Sequence, residues 1–210
     1  MASLAIVAAG AFPRKEYPRY VLRSADRVVC CDGALRTLLK AGFRADAVVG
    51  DFDSARQAEL SRFTGAVVHN PDQETNDLTK AFRYAMQTWD DLTEIHILAA
   101  TGKREDHTLG NISLLAQYRA ELDPAIALDM ISDYSTIIPL ADSTTLYVGE
   151  GRPVSIFSLD PTLKIRSEGL QWSTDAVVFD SWWKATLNRA CADSVTLTFS
   201  HPAPVAVVLA

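Results

Sequence analysis

The sequence predicts an α/β domain with a mostly parallel sheet, followed by an all-β domain. Up to residue 132, short apolar segments alternate with helical patterns, which is typical of a parallel sheet covered on both faces. From residue 133 onward the segments are short, rich in Val, Thr, Ile and Phe, and separated by Gly, Pro and Asp. We therefore predict one domain over 1–132 and a sandwich-like or barrel-like domain over 133–210.

In the N-terminal part, predicted strands are followed by predicted helices. One of these helices is supported by Leu35, Leu38 and Leu39 at helical spacing, with Gly42 as a stop signal. Strands are predicted at Leu4–Ala9, Arg27–Cys31, Ala47–Val49, Ala66–His69, Ile95–Ala99 and Ile126–Ile131. Helices are predicted at Tyr17–Ser24, Ala34–Ala41, Arg56–Phe63, Thr75–Thr88 and Asp106–Arg119.

In the C-terminal part, only strand patterns are found. Such a run of short strands with turn residues between them is typical of a small sandwich or barrel. The predicted strands are Ser135–Leu140, Thr144–Val148, Val154–Leu159, Leu163–Ser167, Ala176–Phe179, Ser194–Ser200 and Val205–Leu209.

The composition is that of an ordinary globular protein, with 210 residues, 48% hydrophobic and 22% charged. The formal net charge of -6, without a Lys/Arg run, argues against a nucleic-acid partner. No apolar run reaches the roughly 18 residues of a membrane span, and residues 1–12 lack the basic flank of a signal peptide. The three cysteines, Cys30, Cys31 and Cys191, are an odd number with two adjacent, which favours a reducing cytoplasm over a disulfide framework.

Two acidic motifs carry the strongest chemical signal. Asp51 and Asp53 directly follow the predicted strand Ala47–Val49, and a second cluster runs from Asp72 to Asp77. Close carboxylates repel one another unless a cation neutralises them. Their hard oxygen atoms suit Mg²⁺, which commonly bridges carboxylates to substrate phosphates. The motifs therefore predict metal-assisted phosphoryl chemistry.

Polar clusters follow four of the predicted parallel strands, at residues 32–33, 50–53, 70–77 and 100–107. Ligands of open α/β sheets bind beyond the carboxyl ends of the strands, so we expect these clusters to converge. Asp77 falls in the first turn of a predicted helix, where helix capping alone also explains it. Lys80, three residues later, is expected to pair with Asp77, to reach a phosphate, or to form a simple surface ion pair.

The loop 101–107 enters a predicted helix and contains groups suited to anions. Gly102 permits close backbone approach, and the N-terminus of the following helix offers free N–H groups. Arg104 supplies a bidentate donor for phosphate. Asp106 is open to three roles: a helix N-cap, a base, or a partner for a cationic substrate. His107 is a candidate proton carrier, although a lone histidine more often has a structural role.

Taken together, these motifs resemble the thiamine pyrophosphokinase family in order and approximate spacing. The motifs that carry the resemblance are Asp32–Ala34, Gly50–Ser54, Asp72–Ala81 and Thr101–His107, with a looser match at Gly169–Trp172 and Thr186–Asn188. The chain differs from the usual family pattern at Asn76, where Thr is usual, at Lys103, where Gly is usual, and at Leu187, where Ser is usual.

The resemblance implies an N-terminal domain that binds ATP and Mg²⁺. It implies a C-terminal β domain that supports a homodimer, with thiamine at the subunit junction. By matching positions, the metal ligands are Asp51, Asp53 and Asp77. The nucleotide-facing residues are Asp32, Thr101 and Arg104, with Lys80 as a further candidate for phosphate. The residues near thiamine are Gln73, Asp106, Trp172 and Asn188.

The implied reaction is transfer of the pyrophosphoryl group of ATP to the hydroxyl of thiamine, giving thiamine diphosphate and AMP. Three alternatives remain open at this point. In the first, the acceptor is another hydroxymethyl heterocycle, such as a pterin. In the second, the chain is a non-catalytic sensor of thiamine or nucleotide. In the third, Asp51 is the nucleophile of a haloacid-dehalogenase-type phosphatase, although those enzymes usually carry the motif on their first strand.

Overall fold

The computed structural model describes residues 1–52, 60–61 and 63–210. The chain divides into two compact units. The N-terminal unit comprises Met1–Leu114 and Pro124–Asp133, and the C-terminal unit comprises Leu115–Asp123 and Tyr134–Ala210. The predicted helix Arg56–Phe63 falls largely on residues outside the described part of the chain.

The N-terminal unit is built on a parallel sheet. Its described strands are β1 (Ala2–Val7), β2 (Arg27–Cys31), β3 (Ala47–Gly50), β4 (Ala66–His69), β5 (Leu92–Leu98) and β6 (Ala127–Ile131), in the order β6-β5-β1-β2-β3-β4. Each neighbouring pair is parallel. The helices that the structure describes are α1 (Glu16–Ser24), α2 (Asp32–Lys40), α3 (Asp77–Thr88) and α4 (Glu105–Glu121). The predicted α/β architecture is thus confirmed.

The centre of this sheet is fully apolar. Strand β1 lies between β2 and β5, and Leu4, Ile6 and Val7 are inaccessible to solvent. A strand buried on both faces needs an almost continuous apolar sequence, which is what the chain supplies here. Helices α2 and α3 pack against β2 and β3, so their N-termini lie near the carboxyl ends of those strands.

Helix α3 begins with a side-chain cap. The carboxamide oxygen of Asn76 accepts a hydrogen bond from the backbone N–H of Thr79 at 2.9 Å. An asparagine is among the best N-cap residues, so the local sequence explains why the helix begins at Asp77 rather than at the predicted Thr75. The cap fixes Asp77 in the first turn, as predicted, where the helix dipole favours a carboxylate.

The strands of the C-terminal unit pair in an antiparallel manner. In one described sheet the order is β11 (Asn188–Arg189), β9 (Pro153–Ser158), β13 (Val205–Leu209) and β7 (Thr136–Leu140). In the other it is β10 (Ile165–Glu168), β12 (Ser194–Phe199) and β8 (Thr144–Tyr147). Alternate residues such as Ile156, Val207 and Leu197 are inaccessible and belong to a single apolar cluster. The predicted all-β C-terminal part is confirmed, and its strands are antiparallel.

One predicted strand of this unit is wrong. Residues 176–179 form no strand, although Phe179 is buried and Val178 is exposed as an alternating pattern requires. The segment follows a turn in which the N–H of Val177 donates to the carbonyl of Thr174. Its apolar residues pack from an irregular backbone, which satisfies the hydrophobic pattern without strand pairing. The short strand β11 was not predicted, because two residues carry no readable periodicity.

Among the described residues, no helix is long and apolar enough to cross a membrane.

A partly buried histidine links two strands of the N-terminal sheet. His96 of β5 pairs in register with Asp129 of β6, and its Nδ1 lies 2.9 Å from Asp129 Oδ1, while Nε2 lies 3.4 Å from Glu94 Oε2. Burial lowers the pKa of the imidazole, but the hydrogen bond to Asp129 and the two carboxylate charges outweigh it, so the pKa is raised. The protonated ring therefore stabilises the fold.

We expect the free energy of unfolding to depend on pH through His96. Since the folded pKa is raised, the stabilisation is fully present below the unfolded value of about 6.5 and is lost as pH rises through the folded pKa. Urea unfolding of wild type and His96→Gln should differ by about 1–2 kcal/mol at pH 5.5, and by less at pH 8.5. Asp129→Asn should remove the same pH-dependent difference, and a constant difference across this range would contradict the assignment.

Candidate active site

Three parts of the N-terminal unit bring acidic side chains to one edge of the sheet. Asp32 directly follows β2, Asp51 directly follows β3, and Asp77 opens α3. Strands β2 and β3 are parallel neighbours with Cys31 opposite Val49, so the two strands end side by side. The predicted convergence of the polar clusters therefore holds for these carboxylates, which were 19 and 26 residues apart in the sequence.

A buried lysine lies between two of the carboxylates. The Nζ of Lys80 is 3.2 Å from Asp77 Oδ1 and 3.9 Å from Asp51 Oδ2. The side chain of Lys80 is only 3% exposed, against 22% for Asp51 and 39% for Asp77. The expectation of a simple surface ion pair is therefore wrong, because the face of α3 that carries Lys80 packs toward the sheet.

Asp32 is held by backbone donors. Its Oδ1 accepts a hydrogen bond from the N–H of Gly33 at 2.5 Å, and its Oδ2 accepts one from Phe52 at 2.9 Å. Phe52 adopts a left-handed backbone conformation, with φ of 62°, that directs its N–H toward Asp32. A Cβ on Gly50 would lie 2.6 Å from Asp32 Cγ, so only glycine leaves room for this carboxylate.

The carboxylates of this cluster repel one another. Burial raises the pKa of Asp32, and the charges of Asp77 and Asp51 raise it further, against the two backbone hydrogen bonds that lower it. Within the described residues, Lys80 is the cation placed between Asp51 and Asp77, so negative charge remains in excess. Hard carboxylate oxygens with excess negative charge fit a divalent cation such as Mg²⁺.

Two of the three predicted metal ligands, Asp51 and Asp77, are thus brought together around Lys80. Asp53 lies outside the described residues. Within the described ranges, no group of three or more His, Cys, Asp or Glu side chains is arranged to hold a metal ion. The assignment of all three aspartates as ligands therefore stays a prediction.

Gln73 also reaches the cluster. Its Nε2 donates to Asp51 Oδ2 at 3.2 Å, so the turn before α3 contacts the end of β3. The preceding Asp72 is used locally: it accepts hydrogen bonds from the Thr75 hydroxyl and the Glu74 N–H, which lower its pKa. Gln73 therefore contacts Asp51, while Asp72 stabilises the turn that precedes α3.

A cavity of about 260 Å³ opens beside the cluster. Asp77 lines it from α3, and Thr101 and Arg104 line it from the loop after β5, whereas Asp32 is not among the described lining residues. That Asp32, Thr101 and Arg104 face a nucleotide stays a prediction. Further lining residues are Gly10, Lys103, His107 and Asn111. The cavity combines a carboxylate edge with a rim of basic side chains and the N-terminus of α4, which is a suitable environment for an anion near a cation.

Two residues that shape this cavity were missed by sequence reasoning. The buried Asn111 donates from Nδ2 to the carbonyl of Ala100 at 2.8 Å, and its Oδ1 accepts from Asn76 Nδ2 at 3.2 Å. It thereby connects α4, the loop after β5 and the N-cap of α3. The signal available in the sequence was a polar residue at a position of the predicted helix that is expected to be buried. The second residue is Gly10, whose N–H donates to Ala99 O at 2.6 Å.

Lys103 has a structural contact at the rim. Its Nζ donates to the carbonyl of Ala9 at 2.7 Å, which connects the loop after β5 to the end of the β1 segment. The sequence left open whether this lysine binds phosphate or is solvated, and the contact with Ala9 places its ammonium at the cavity wall.

Arg104 and Asp106 pair with each other. Arg104 Nη2 lies 2.5 Å from Asp106 Oδ2, and Nε lies 3.1 Å from Oδ1. The hydrogen bonds from Arg104 and from the N–H of His107 lower the pKa of Asp106 to about 2. Asp106 lies in the first turn of α4, which begins at Glu105, rather than at its N-cap, and its observed positive partner is Arg104. Its roles as a base or as a partner for a cationic substrate stay predictions.

In the C-terminal unit, Asn188 and Trp172 lie together. The buried Asn188 side chain accepts hydrogen bonds from the N–H of Trp172 at 3.2 Å and of Arg189 at 2.8 Å, and donates to the carbonyl of Trp172 at 2.6 Å. The indole of Trp172 is 56% exposed. Asn188 therefore fixes the backbone that presents this ring, while the neighbouring Leu187 is exposed with φ of 59°.

Both halves of the chain match models of known protein families. Residues 18–127 match the family model "Thiamin pyrophosphokinase, catalytic domain", and residues 136–201 match "Thiamin pyrophosphokinase, substrate-binding domain". The chain belongs to the thiamin pyrophosphokinase family. The resemblance predicted from the acidic motifs is thereby confirmed.

Relatives and solved structures agree with this membership. Thiamin pyrophosphokinase 1 of Caenorhabditis elegans is 29% identical over 123 residues, 55% of this chain and 49% of that protein. Thiamine pyrophosphokinase of Bacillus subtilis is 39% identical over 83 residues, 38% of each. The match thus spans about half or less of the length of these curated relatives.

The fold is shared over nearly the whole chain. The crystal structure of thiamine pyrophosphokinase from Bacillus subtilis superposes with a TM-score of 0.81 at 21% identity, over 99% of this chain and 98% of that one. Thiamin pyrophosphokinase from Candida albicans gives 0.79 at 14% identity, over 99% and 88%. At these identities the structural likeness shows the fold alone. This member of the thiamin pyrophosphokinase family has the fold of these solved structures.

Proposed function

We propose that this chain is a Mg²⁺-dependent thiamine diphosphokinase, which transfers the pyrophosphoryl group of ATP to thiamine. The observation that carries the proposal is the Asp51–Lys80–Asp77 cluster, with Asp77 also lining the adjacent cavity, in a chain that matches both family models. The carboxylates and the basic rim meet the two needs of phosphoryl chemistry, a metal and donors for phosphate oxygens.

In this proposal the cavity takes the phosphates of ATP. Arg104 donates to phosphate oxygens, Thr101 contacts the nucleotide from the same loop, and the N-terminus of α4 adds the positive end of its helix dipole. Asp51 and Asp77 would hold Mg²⁺, with Asp53 as the further ligand implied by the family pattern. When bound, Mg²⁺ neutralises phosphate charge and orients the phosphates for displacement. Asp32 adds negative charge beside these ligands, and Gln73 orients Asp51.

The reaction is a displacement at phosphorus. The hydroxyl oxygen of thiamine attacks the β-phosphorus of ATP, a new oxygen–phosphorus bond forms, and the bond to the α-phosphate oxygen breaks to release AMP. The hydroxyl proton leaves to solvent or to a phosphate oxygen. The protein's part is positioning and charge stabilisation rather than covalent chemistry. Asp106, kept ionised by Arg104, supplies negative charge for the cationic thiamine.

The C-terminal unit is proposed to contribute the aromatic side of the thiamine site in a homodimer. An exposed indole such as Trp172, held by Asn188, suits a cationic heterocycle. Trp182 and Trp183 are also more than half exposed, and their apolar area supports an interface with a second copy. The free thiols Cys30, Cys31 and Cys191 support a cytoplasmic location.

A discontinuous assay tests the proposed function. Purified protein, ATP, MgCl₂ and thiamine are incubated, and thiamine diphosphate and AMP are quantified by mass spectrometry. Equal amounts of the two products, absent when EDTA replaces Mg²⁺, are expected. A panel of hydroxymethyl heterocycles that includes a pterin identifies the acceptor. Tight thiamine binding without AMP would instead indicate a sensor, and a trapped aspartyl-phosphate at Asp51 would indicate a phosphatase.

A further inference from the structure

Lys80 has a position that the proposed reaction does not explain. It is a positively charged residue at the site where a divalent cation is expected, and it is almost completely buried. Burying an ammonium group costs free energy unless an opposite charge compensates it, so Lys80 needs acidic partners close by. Those partners are Asp77, three residues earlier on α3, and Asp51, at the end of β3.

A metal ion bound by Asp51 and Asp77 would share these two carboxylates with the ammonium of Lys80. Without Lys80, Asp51 and Asp77 would repel each other in a partly buried setting, where charges are weakly screened. With Lys80, part of that repulsion is already neutralised. The Lys80 ammonium stabilises the metal-free protein, and its positive charge repels an incoming metal ion.

We propose that Lys80 is an internal counter-ion that weakens the binding of free Mg²⁺, so that the metal binds productively only together with the phosphates of the nucleotide. The phosphates bring the additional negative charge that balances both cations. Lys80 is thus a positioning and tuning residue rather than a catalytic one. The inference rests on the proposed function in that it assumes a Mg²⁺–nucleotide complex as the ligand.

The geometry of Lys80 separates this role from a direct phosphate contact. Arg104, Lys103 and Thr101 line the cavity, whereas Lys80 is absent from its lining within the described residues. Its Nζ faces Asp77 and Asp51. The side chain is consequently placed to act on the carboxylates and not on the ligand in the cavity.

Calorimetric titration with MgCl₂ alone tests the proposal, on wild type and on Lys80→Met and Lys80→Arg variants. We expect Lys80→Met to bind free Mg²⁺ about tenfold more tightly, since an opposing positive charge is removed. It should also melt at a lower temperature in EDTA and gain more than wild type from saturating Mg²⁺. Lys80→Arg should retain the affinity of wild type, because it keeps the charge.

The matched control is Lys184→Met. Lys184 also pairs with an aspartate on its own segment, with Nζ 2.7 Å from Asp180 Oδ1, but in the C-terminal unit. This variant makes the same change in net charge, and its Mg²⁺ affinity should equal that of wild type. A tightening of similar size in Lys184→Met would mean that overall charge, not the position of Lys80, sets the affinity, and would overturn the proposal.

A second arm repeats the titration with a non-hydrolysable ATP analogue present. The analogue should tighten Mg²⁺ binding more in wild type than in Lys80→Met, because wild type depends on the phosphates for charge balance. Unchanged or weaker binding of free Mg²⁺ by folded Lys80→Met overturns the proposal. If Lys80→Met folds only when Mg²⁺ is present, the counter-ion role is supported. If Lys80→Met and Lys80→Gln stay unfolded with saturating Mg²⁺, the lysine acts through packing and the proposal fails.

These readouts use neither thiamine nor turnover. A wild-type protein that makes no AMP from ATP and thiamine refutes the proposed function, whereas the affinity order of the lysine variants for Mg²⁺ alone decides the role of Lys80.

Discussion

Asp77→Asn should lower kcat/KM for thiamine diphosphate formation by about 10²–10³-fold or more, the range for losing one charge-stabilising group in a reaction site. Asp77 is the residue that joins the two halves of the site, since it contacts Lys80 and also lines the cavity. The fold should persist, because Asn76 still caps α3 through its bond to Thr79. Steady-state kinetics at several Mg²⁺ concentrations, together with circular dichroism, measure both effects.

The matched control for this variant is Asp180→Asn. Asp180 also pairs with a lysine, Lys184, but in the C-terminal unit, where the two side chains are 56% and 31% exposed. An exposed ion pair of this kind contributes little to stability, so the control should remain within about twofold of wild type in kcat/KM. If Asp77→Asn retained near-normal turnover while folded, the proposed metal site would be wrong.

Gly10→Ala should damage both the cavity and the stability of the N-terminal unit. A Cβ at this position would lie 2.3 Å from Ala99 O and 2.5 Å from Thr101 O, and both atoms belong to the backbone. The loop after β5 must therefore move, which we expect to cost about 1–3 kcal/mol of unfolding free energy. Because Thr101 and Arg104 lie on that loop, the affinity for an ATP analogue should fall by at least about tenfold.

Gly110→Ala provides the control for this substitution. Gly110 lies within α4, and nothing lies within 4 Å of its added Cβ. Replacing a helical glycine by alanine should raise the unfolding free energy by about 0.5–1 kcal/mol. Urea unfolding and fluorescence titration of the nucleotide analogue measure both variants. Equal stability and equal affinity in the two variants would contradict the close approach at Gly10.

The position of the site was predictable because it follows from topology. Parallel strands end at the same edge of the sheet, so Asp32, Asp51 and Asp77 were expected to converge from the strand pattern alone. The burial of Lys80 was not predictable in the same way. Its spacing from Asp77 is that of any helical ion pair, and only the packing of α3 against the sheet distinguishes a buried pair from a surface pair.

Sequence patterns also did not predict the contacts between side chains and the backbone. Asn188 was a candidate because of its resemblance to a family motif, yet its bonds to Trp172 depend on the antiparallel bridge between Leu170 and Ala190, which places the two segments side by side. Similarly, Ala176–Phe179 has the alternation of a strand, but hydrophobic periodicity reports burial and not strand pairing. Such cases need the tertiary arrangement before their roles are defined.

The place of β13 in its sheet has a consequence for biosynthesis. This strand pairs with β7 on one side and β9 on the other, although it comes last of the three along the chain. Strand β6 completes the described parallel sheet at Ile131, whereas the β7–β13–β9 ladder is complete only when Leu209 has left the ribosome. During translation, the parallel sheet of the N-terminal unit is therefore able to form first. Strands β7 and β9 lack their partner strand β13 until β13 has been synthesised, and their unpaired edges favour aggregation during that time.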